Sequence, residues 1–471
     1  MRITSAKALH IVWRIKMKKG FISAFLAGAV FMTATAAQGA VHRVYPGMSI
    51  QDVIDNDAES GDTILVEPGV YKAPADSTYG LHITKDNIRL IGKVKKGRGE
   101  EGKVRLVYDG VFYDKVNMCL APEKDDRNPV CDTGQRTGVY AAPAGCEFEM
   151  NEEECKAALG LGADDPIPYI KGFYIRGFSV ENFPRNGIQT RWVDDFEFVR
   201  NESIKNLNNG IYPTLSANGL VRNNESYGSL DTAMWVAGSE NVRVIGNKLH
   251  GSVIGFEITV SNEVEVKQNE MYDNTVGVGL FHPNGAGNPP LPVMANWLIE
   301  QNDIYDNNRP NEALPETFQA ILPPGVGVLL SGVSDAVIAK NNVEDNDYVG
   351  IAVVGWCTGL GIDEEDVLNG ACLFYGEGDP RNSLRAPPQS NNNLVAQNRL
   401  SGNAENPPPG GPLPPADLVY AQGIENFVPT FDTGGNCFEK NKPKNDLTSF
   451  SLPPFNDGAG SSDPADLPSE C

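Results

Sequence analysis

Positively charged side chains are scarce in this sequence. Its 471 residues include 39 lysines and arginines against 61 aspartates and glutamates, which gives a formal net charge of −22. Such a field repels phosphate backbones and anionic lipids, so we expect no nucleic-acid partner and no membrane insertion. It would also repel an acidic polysaccharide unless a cation bridged the two, and Ca²⁺ is therefore the one cofactor that the sequence suggests.

The chain also lacks an N-terminal apolar run long enough to span a membrane. The apolar stretch within MKKGFISAFLAGAVFMTATAAQGA follows two lysines and ends in small residues, a pattern that is typical of a secretory signal. We place this signal at residues 1–40, with Met17 as an alternative start and cleavage between Ala36 and Ala40. The mature protein is therefore expected to be exported, to the periplasm or the extracellular space.

No two cysteines have the CxxC spacing of a zinc site. All eight cysteines follow the signal, and an even number in an exported protein favours disulfides over metal ligands. Pairing near neighbours predicts four bridges: Cys119–Cys131, Cys146–Cys155, Cys357–Cys372 and Cys437–Cys471.

What the sequence does contain is an internal repeat. The stretch NEVEVKQNEMYDN at 262–274 places two alternating apolar residues before an asparagine and another apolar residue after it. The same pattern recurs at intervals of 23, 23 and 22 residues, and then of 33, 39 and 57 residues as if insertions interrupted it. The asparagine position of the pattern is occupied by Asn201, Asn224, Asn247, Asn269, Asn302, Asn341 and Asn398.

Each repeat contains three short β-like runs separated by turn residues, which predicts an all-β fold. One repeat can form a single triangular turn that returns to its start one strand spacing higher, and stacked turns make three parallel sheets around one core. About eleven such coils are expected. Asparagine suits the corners because it tolerates left-handed backbone angles and bonds to its equivalents in adjacent turns. A second polar row is predicted five residues later, at Asn206, Ser229, Ser252, Asn274, Asn307, Asn346 and Asn403.

The N-terminal part resembles the opening of right-handed parallel β-helix proteins of the pectate-lyase-like superfamily. The resemblance is carried by IQDVIDNDAESGDTILVEPGVY, by LHITKDNIRLIGK and by the asparagine repeats, and it is closest to uncharacterised exported bacterial parallel β-helix repeat proteins. It implies a single-stranded right-handed parallel β-helix. The helical spacing of residues 49–56 predicts a cap over the first coil.

The resulting domain prediction assigns residues 41–404 to the β-helix. It carries a disulfide-bearing insertion at 109–168 and loops at 282–296, 309–325 and 357–390. A Pro/Gly-rich linker at 405–417 and a tail at 418–471 that packs on the β-helix complete the chain.

The third run of each coil supplies a candidate site because the long loops flank its outer face. Strict alternation places one group of residues inward: Ile211, Met234, Phe256, Val278 and Ile351. The outward row then contains Gln189, Tyr212, Trp235, Glu257, Gly279, Gly327 and Ala352. Its neighbouring row contains Arg191, Thr214, Ala237, Thr259, Phe281, Leu329 and Val354.

Aromatic rings beside carboxylates on an open face suit a sugar chain. The candidate catalytic residues are Tyr212, Asp231, Glu257, His282 and Arg191, and the candidate substrate-binding residues are Gln189, Trp235 and Phe281. Proton abstraction beside a uronate carboxylate would use Tyr212 or His282 as base and Arg191 or a metal as the neutralising group. The acids Asp231 and Glu257 could instead serve glycoside hydrolysis. Asp194 and Asp195 are the candidates for a metal.

Each candidate also has a structural interpretation. Tyr212 and Trp235 would stack as ordinary neighbours along a β-ladder, and Glu257 would be a solvated charge. The pair at 194–195 would shape a turn, and His282 would position a loop.

Two functions remain open at this stage. The first is an exported protein that binds a polysaccharide and modifies it as a lyase, an epimerase or a glycoside hydrolase. The second is a non-catalytic docking protein for an exported partner. The sequence lacks the Asp-Pro-His-Asp motif of mannuronan epimerases and the Gly-His-Gly and Asn-Thr-Asp motifs of polygalacturonases, so no catalytic residue is carried over from a relative. We expect a monomer.

Overall fold

The computed structural model describes most of the chain after the predicted signal. The described residues are 39–72, 77–108, 137–147, 150–281, 296–315, 317–355, 390–421, 435–443, 447–452, 462–464 and 467–469. The predicted signal at 1–40 therefore lies almost entirely outside them. No helix among these residues is both long and apolar enough to cross a membrane.

The chain winds into three parallel sheets of 12, 11 and 11 strands, with one strand of each sheet in every full coil. The predicted all-β coil of about eleven turns is confirmed. Sheet 1 consists of Val41–Val44, Thr63–Val66, Ile88–Gly92, Ile170–Arg176, Val193–Val199, Ala217–Arg222, Glu240–Ile245, Asn262–Lys267, Trp297–Glu300, Ala336–Ala339, Leu394–Ala396 and Cys437–Glu439. Sheet 2 consists of Gly69–Lys72, Val104–Val107, Phe178–Glu181, Glu202–Ile204, Glu225–Tyr227, Lys248–His250, Glu270–Tyr272, Asp303–Tyr305, Asn342–Glu344, Arg399–Ser401 and Lys442–Pro443. Sheet 3 consists of Tyr79–Ile83, Thr137–Ala141, Ile188–Arg191, Ile211–Thr214, Thr232–Ala237, Ile254–Thr259, Val276–Phe281, Val326–Ser331, Val349–Val354, Ala416–Ala421 and Ser449–Leu452.

The helical segments are few and short. An α-helix at Ile50–Asp52 continues as a π-helix at Val53–Asp57, a second α-helix spans Glu152–Ala158, and 3-10 turns lie at Gly99–Gly102 and Phe318–Ile321.

The core forms because strands such as Asn262–Lys267 alternate apolar and polar residues while the coil repeat keeps equivalent positions in register. Val242 pairs with Val264, which pairs with Trp297 in the next coil, and all three side chains are buried. The five residues predicted to point inward from sheet 3 are fully buried in the same core. Parallel pairing from coil to coil thus turns a local repeat into one continuous interior.

The predicted asparagine ladder is confirmed in every coil from Asn201 to Asn398. In a typical step, Asn247 Oδ1 accepts hydrogen bonds from the Asn224 backbone N–H (2.8 Å) and Nδ2 (3.0 Å), while Asn247 Nδ2 donates to Asn269 Oδ1 (2.9 Å). The ladder runs one coil further than predicted, because Asn398 Nδ2 donates to Asn441 Oδ1 at 3.0 Å. These side chains are buried and satisfy the corner amides, so their role is structural.

The second polar row also stacks, although not all of its members are joined. Asn274, Asn307, Asn346 and Asn403 bond in sequence through their amide groups, at 3.0 Å in each step. The serines filling the gap are linked as well, since the Ser229 backbone N–H donates to Ser252 Oγ at 3.0 Å.

A third corner ladder is absent from the sequence prediction. Ser216 and Ser239 accept from the backbone N–H groups of the preceding coils, at 3.3 and 3.2 Å, and Ser261 continues the row at 3.1 Å. Asn393 and Asn436 extend it at the other end of the stack, with their side chains 3.0 Å apart. Serines at intervals of 23 and 22 residues were the signal available in the sequence.

The helical segment predicted at 49–56 forms and lies against the first strand of sheet 3. Ser49 caps it by accepting from the Asp52 N–H, and Ile50, Val53 and Ile54 are buried. Gln51 exchanges two hydrogen bonds with the His82 backbone, at 2.8 and 3.1 Å. His82 belongs to the edge strand of the sheet, so Gln51 pairs with backbone groups that no strand satisfies.

Two predicted boundaries need correction. The segment Thr137–Ala141 lies inside the insertion predicted at 109–168, yet it is a strand of sheet 3 and is buried throughout. The stack also continues past residue 404, since Ala416–Ala421, Cys437–Glu439 and Ser449–Leu452 add strands to it. These strands escaped prediction because proline-rich and polar segments obscure their short apolar alternation.

One predicted disulfide is present and three involve residues outside the described ranges. Cys146 and Cys155 are bonded, with their Cα atoms 4.9 Å apart, and both are buried. The bridges predicted for Cys119–Cys131 and Cys357–Cys372 fall wholly outside the described residues. Cys437 is disulfide-bonded, and its predicted partner Cys471 is outside them.

Candidate functional site

The outer face of sheet 3 changes character along the stack. Its middle outward row contains, from the first coil to the last, His82, Tyr140, Gln189, Tyr212, Trp235, Glu257, Gly279, Leu329, Ala352, Val419 and Phe450. Polar and aromatic groups thus occupy the first six positions of this row, and small or apolar groups the rest.

The register of this row differs from the prediction at one strand. Gly279 pairs with Leu329 and Phe281 pairs with Ser331, so Gly327 is not an outward residue. Gly327 instead faces the interior, where a Cβ would lie 2.7 Å from Val343 Cγ1 and 3.0 Å from Asn346 Nδ2. The tight approach of the second asparagine row requires a glycine at that position.

Two carboxyl groups meet on one hydroxyl at the boundary between the two halves. Thr232 Oγ1 lies 2.9 Å from Asp231 Oδ1 and 2.7 Å from Glu257 Oε2, and all three side chains are buried. A threonine hydroxyl carries one proton and can donate it to only one of the two acids. The other contact is a hydrogen bond only if its carboxyl group is protonated, so the geometry requires a shared proton.

The electrostatics agree with the geometry. Burial is the main cause that raises the pKa of Asp231 to about 7, against opposing hydrogen bonds from Thr232 and Gln319. Burial, followed by repulsion from Asp231, raises the pKa of Glu257 well above its ordinary value. Around neutral pH the pair therefore holds a shared proton. The interpretation of Glu257 as a solvated charge is wrong, since 2% of it is exposed.

The two aromatic side chains next to these acids stack on each other. The Tyr212 and Trp235 rings lie 4.6 Å apart at 15°, and Trp235 Nε1 donates to Thr259 Oγ1 at 2.9 Å. Both side chains are partly exposed. Burial raises the pKa of Tyr212 to about 12, so its phenol stays protonated at neutral pH.

The remaining predicted residues of this face differ in their exposure to solvent. Arg191 is partly exposed and lies over the Trp192 ring, 4.2 Å from its centroid. Gln189 is buried and its Oε1 accepts from Asn186 Nδ2 at 2.9 Å. Phe281 is also buried, with its ring 5.0 Å from that of Phe318.

The candidates for a metal do not join this group. Asp194 lies in sheet 1, where Lys171 Nζ approaches it to 2.5 Å and Asn218 Nδ2 to 2.6 Å. The neighbouring Asp195 is exposed and has a left-handed backbone angle of 65°. Within the described ranges, no cluster of three or more His, Cys, Asp or Glu side chains could hold a metal ion. His282 lies outside these ranges.

The sequence comparison agrees with this architecture. Residues 186–367 match the family model described as a right handed beta helix region. The chain is a right-handed parallel β-helix protein. The right-handed parallel β-helix that the sequence predicted is thereby confirmed. None of the curated proteins matches the sequence.

Several solved structures are similar to the β-helix protein. The A-module of the mannuronan C-5 epimerase AlgE4 from Azotobacter vinelandii is 12% identical, with a TM-score of 0.42 over 88% of this chain and 90% of that one. DFA-IIIase from Arthrobacter chlorophenolicus A6, in complex with DFA-III, is 12% identical, with a TM-score of 0.48 over 89% and 86%. The periplasmic alginate epimerase AlgG is 14% identical, with a TM-score of 0.41 over 86% and 85%.

Sequence reasoning missed three participants in the site of the β-helix protein. Thr232 joins the two acids, Gln319 reaches Asp231 from the 309–325 segment, and Tyr140 occupies the outward row inside the predicted insertion. Thr232 could have been found, because it occupies the coil position equivalent to Asn209 and Ile254. Gln319 could not, because no repeat position relates an inserted loop to the sheet that it covers.

Proposed function

We propose that the protein binds a neutral glycan on the outer face of sheet 3 and hydrolyses a glycosidic bond with Glu257 and Asp231. The observation that carries the proposal is the pair of buried carboxyl groups bonded to the single hydroxyl of Thr232. A hydrolase of this kind needs one protonated and one ionised acid at the same site, and a proton shared between the two acids supplies that combination.

The roles follow from the causes of the pKa shifts. Hydrogen bonds from Thr232 and Gln319 both favour the ionised form of Asp231, whereas Thr232 alone favours ionised Glu257 and repulsion from Asp231 opposes it. Glu257 would therefore donate its proton to the leaving oxygen of the glycosidic bond. Asp231, with a pKa of about 7, would be ionised above neutrality and attack the anomeric carbon. Water would then hydrolyse the glycosyl–Asp231 ester while ionised Glu257 accepts its proton, which restores both acids.

The spacing of the acids favours this double displacement. Because both are bonded to one oxygen, at 2.9 and 2.7 Å, their bonded atoms can be no farther apart than the two bonds laid end to end. Retaining glycosidases hold their carboxyl groups about 5 to 5.5 Å apart, whereas inverting ones leave roughly 6.5 to 9.5 Å for a water molecule. We therefore propose retention of anomeric configuration.

A neutral substrate fits the charge of the site. The acids Asp231 and Glu257 and the net charge of −22 all oppose a polyanion, and Arg191 is the one cation among the partly exposed described residues of these rows. A uronate chain would need a bridging cation such as Ca²⁺.

We further propose that the protein works outside the cytoplasm. A buried disulfide at Cys146–Cys155 is a feature of exported proteins, because cytosolic thiols are kept reduced. The predicted signal at 1–40 agrees with this location.

The test is a screen of neutral glycans (fructan, glucan, mannan, galactan and xylan) and of uronate polymers, with and without Ca²⁺. We expect new reducing ends from a neutral glycan, and a loss of about 10²- to 10⁴-fold in rate for Glu257→Gln. Glu265→Gln, which removes an acid from ion pairs on sheet 1, is the matched control and should retain full activity.

Other results would count against the proposal. Neither binding nor turnover of any glycan would contradict it and would leave the docking function as the remaining hypothesis. Cleavage of uronates alone, in the presence of Ca²⁺, would contradict the choice of a neutral substrate. Full activity of Glu257→Gln would contradict the assignment of the acid.

A further inference from the structure

The outer face of sheet 2 carries a row of stacked rings that the glycosidase site does not use. Tyr227, His250, Tyr272 and Tyr305 occupy equivalent positions in four adjacent coils. Their ring centroids lie 4.9, 4.7 and 5.2 Å apart, and neighbouring planes are within 13° of parallel. All four side chains are half-buried, so the row presents ring edges and polar atoms to solvent. We call these four residues the ring row.

The ring row ends at Tyr305. The residue at the equivalent position of the next coil is Glu344, so the stack of rings stops there. A surface cavity of about 280 Å³ adjoins Tyr305, and its other lining residues are Glu270, Asp303, Asn342 and Glu344. Stacking between neighbouring coils explains the rings within the row. It does not explain the cavity at the end of the row.

The side chains around this cavity are mostly acidic. Glu270 is paired with Lys248 at 3.2 Å, and Asp303 accepts a hydrogen bond from Asn342 Nδ2 at 2.7 Å. Glu344 is half-buried and forms no ion pair within the described part of the chain. A carboxylate without a counter-ion beside the last ring of a stack favours a cation that contacts both groups.

The corner that follows sheet 2 adds to this negative potential. Asp273, Asp306 and Asp345 directly follow three adjacent strands of the sheet, and all three are exposed. Burial raises the pKa of Asp306, and repulsion from the neighbouring aspartates raises it further. Two cations at the edges, Arg309 and Arg399, offset only part of the charge. A cationic partner is therefore favoured by this face as well as by the net charge of −22.

Sheet 1 shows how a guanidinium covers a ring in this fold. Arg89 and Tyr174 occupy equivalent positions in adjacent coils, and the guanidinium carbon of Arg89 lies 4.1 Å from the centre of the Tyr174 ring. Beside Tyr305, the equivalent position holds Glu344, which attracts a guanidinium but cannot supply one. Arginine suits both groups, because its planar guanidinium stacks on a ring and bonds a carboxylate in two places. Lysine offers only a point charge.

We propose that the outer face of sheet 2 docks a polypeptide segment of an exported partner, with one arginine of that segment stacked on Tyr305 and paired with Glu344. The ring row extends roughly 15 Å along the stack, the length of about four to five residues of extended chain, so it accommodates the residues that flank the arginine. Tyrosine and arginine are the residue types that protein interfaces favour. The inference goes beyond the glycosidase function and does not depend on it.

The test uses hexa-arginine and hexa-lysine peptides, which carry equal charge, and measures their affinity by calorimetry at about 0.15 M salt. At that ionic strength, exposed charges more than about 8 Å apart are largely screened, so binding reports local contacts. We expect hexa-arginine to bind more tightly than hexa-lysine. Equal affinity of the two peptides would refute the stacked arginine.

Two substitutions address the two contacts. Tyr305→Ala should weaken hexa-arginine binding by about 2- to 5-fold and remove the preference over hexa-lysine, whereas Tyr305→Phe keeps the ring and should bind as before. Glu344→Gln should weaken hexa-arginine binding by about 2- to 5-fold, and it changes so little of the surface that it remains informative if Tyr305→Ala fails to fold.

The matched control is Glu240→Gln, which removes the same charge from an exposed position on sheet 1 and should leave the affinity unchanged. An equal loss of affinity in Glu240→Gln and Glu344→Gln would mean that only the overall charge attracts the peptide, and the proposed contact would be wrong.

Spermine and glucosamine oligosaccharides test the choice of a polypeptide. Both are cationic, and we expect each to bind more weakly than hexa-arginine. Tighter binding of either, lost in Glu344→Gln, would exclude a polypeptide as the occupant, and no binding of either peptide would refute the docking surface itself. Glycan cleavage on sheet 3 should be the same in all of these variants, so failure of one proposal is distinguishable from failure of the other.

Discussion

The buried acid pair makes a prediction about stability that is independent of any substrate. In Asp231→Asn, a carboxyl group whose pKa is raised by burial is replaced by a neutral amide of the same shape. The amide oxygen can still accept a hydrogen bond from Thr232. The substitution therefore removes the cost of ionising Asp231.

The sign of the pH dependence of stability follows from the direction of the Asp231 pKa shift. The pKa of Asp231 is raised in the folded protein from 3.8 to about 7, so between these values the unfolded chain has lost a proton that the folded protein keeps. Stability therefore falls as pH rises through this window, by about 1.4 kcal/mol per pH unit. Over the whole window the loss amounts to about 4 kcal/mol, and the shift of Glu257 acts in the same direction.

The measurement is the free energy of unfolding in urea at pH 4 and pH 8. We expect Asp231→Asn to match the unsubstituted protein at pH 4 and to exceed its stability by about 4 kcal/mol at pH 8. Asp194→Asn is the control of opposite sign, because its ion pair with Lys171 lowers the pKa of Asp194 and stabilises the fold at high pH. Parallel loss of stability in Asp231→Asn and the unsubstituted protein between pH 4 and pH 8 would refute the shared-proton interpretation.

Three further predictions concern the β-helix scaffold and the outer face of sheet 3. Asn247→Ala leaves a buried N–H of the preceding coil unpaired and should lower the free energy of unfolding by about 1 to 3 kcal/mol, whereas Ala at the exposed Asn241 should cost much less. Removing the Cys146–Cys155 bridge by replacing both cysteines with alanine should lower stability by about 2.5 kcal/mol, measured by urea unfolding, and an unchanged midpoint would contradict it. Trp235→Ala should weaken glycan binding by calorimetry more than it lowers the turnover of bound substrate, and equal affinity would exclude the ring from the site.

The scaffold was predictable because its determinants are local and repeated. Each coil from Asn201 onward supplies its own asparagine at the same corner, so Asn224, Asn247 and Asn269 could be aligned from spacing alone. The alignment failed where an insertion separates two coils. In the structure, Val276-Gly277-Val278 is equivalent to Val326-Gly327-Val328. The sequence prediction instead aligned Gly279 with Gly327, which shifted one row by two residues.

The site was predictable only in part, for a related reason. Asp231 and Glu257 lie in regular coils, and their proximity follows from the stack. The protonation state of the two acids does not follow from the stack, because it depends on their burial, on the contact with Gln319 and on the Thr232 hydroxyl that they share. The position of the 309–322 segment over sheet 3 is decided by contacts such as that of Phe318 with Phe281, and such contacts leave no periodic pattern in the sequence.

The insertions also leave the ladder untouched. Asn269, Asn302, Asn341 and Asn398 are bonded one to the next at 2.9 to 3.0 Å, although 33, 39 and 57 residues separate them along the chain. The length of a detour therefore has no effect on how the next coil docks. Segments inserted between coils can therefore be lengthened, shortened or exchanged without disturbing the asparagine ladder. The binding specificity of such a molecule can diverge while its β-helix stays the same.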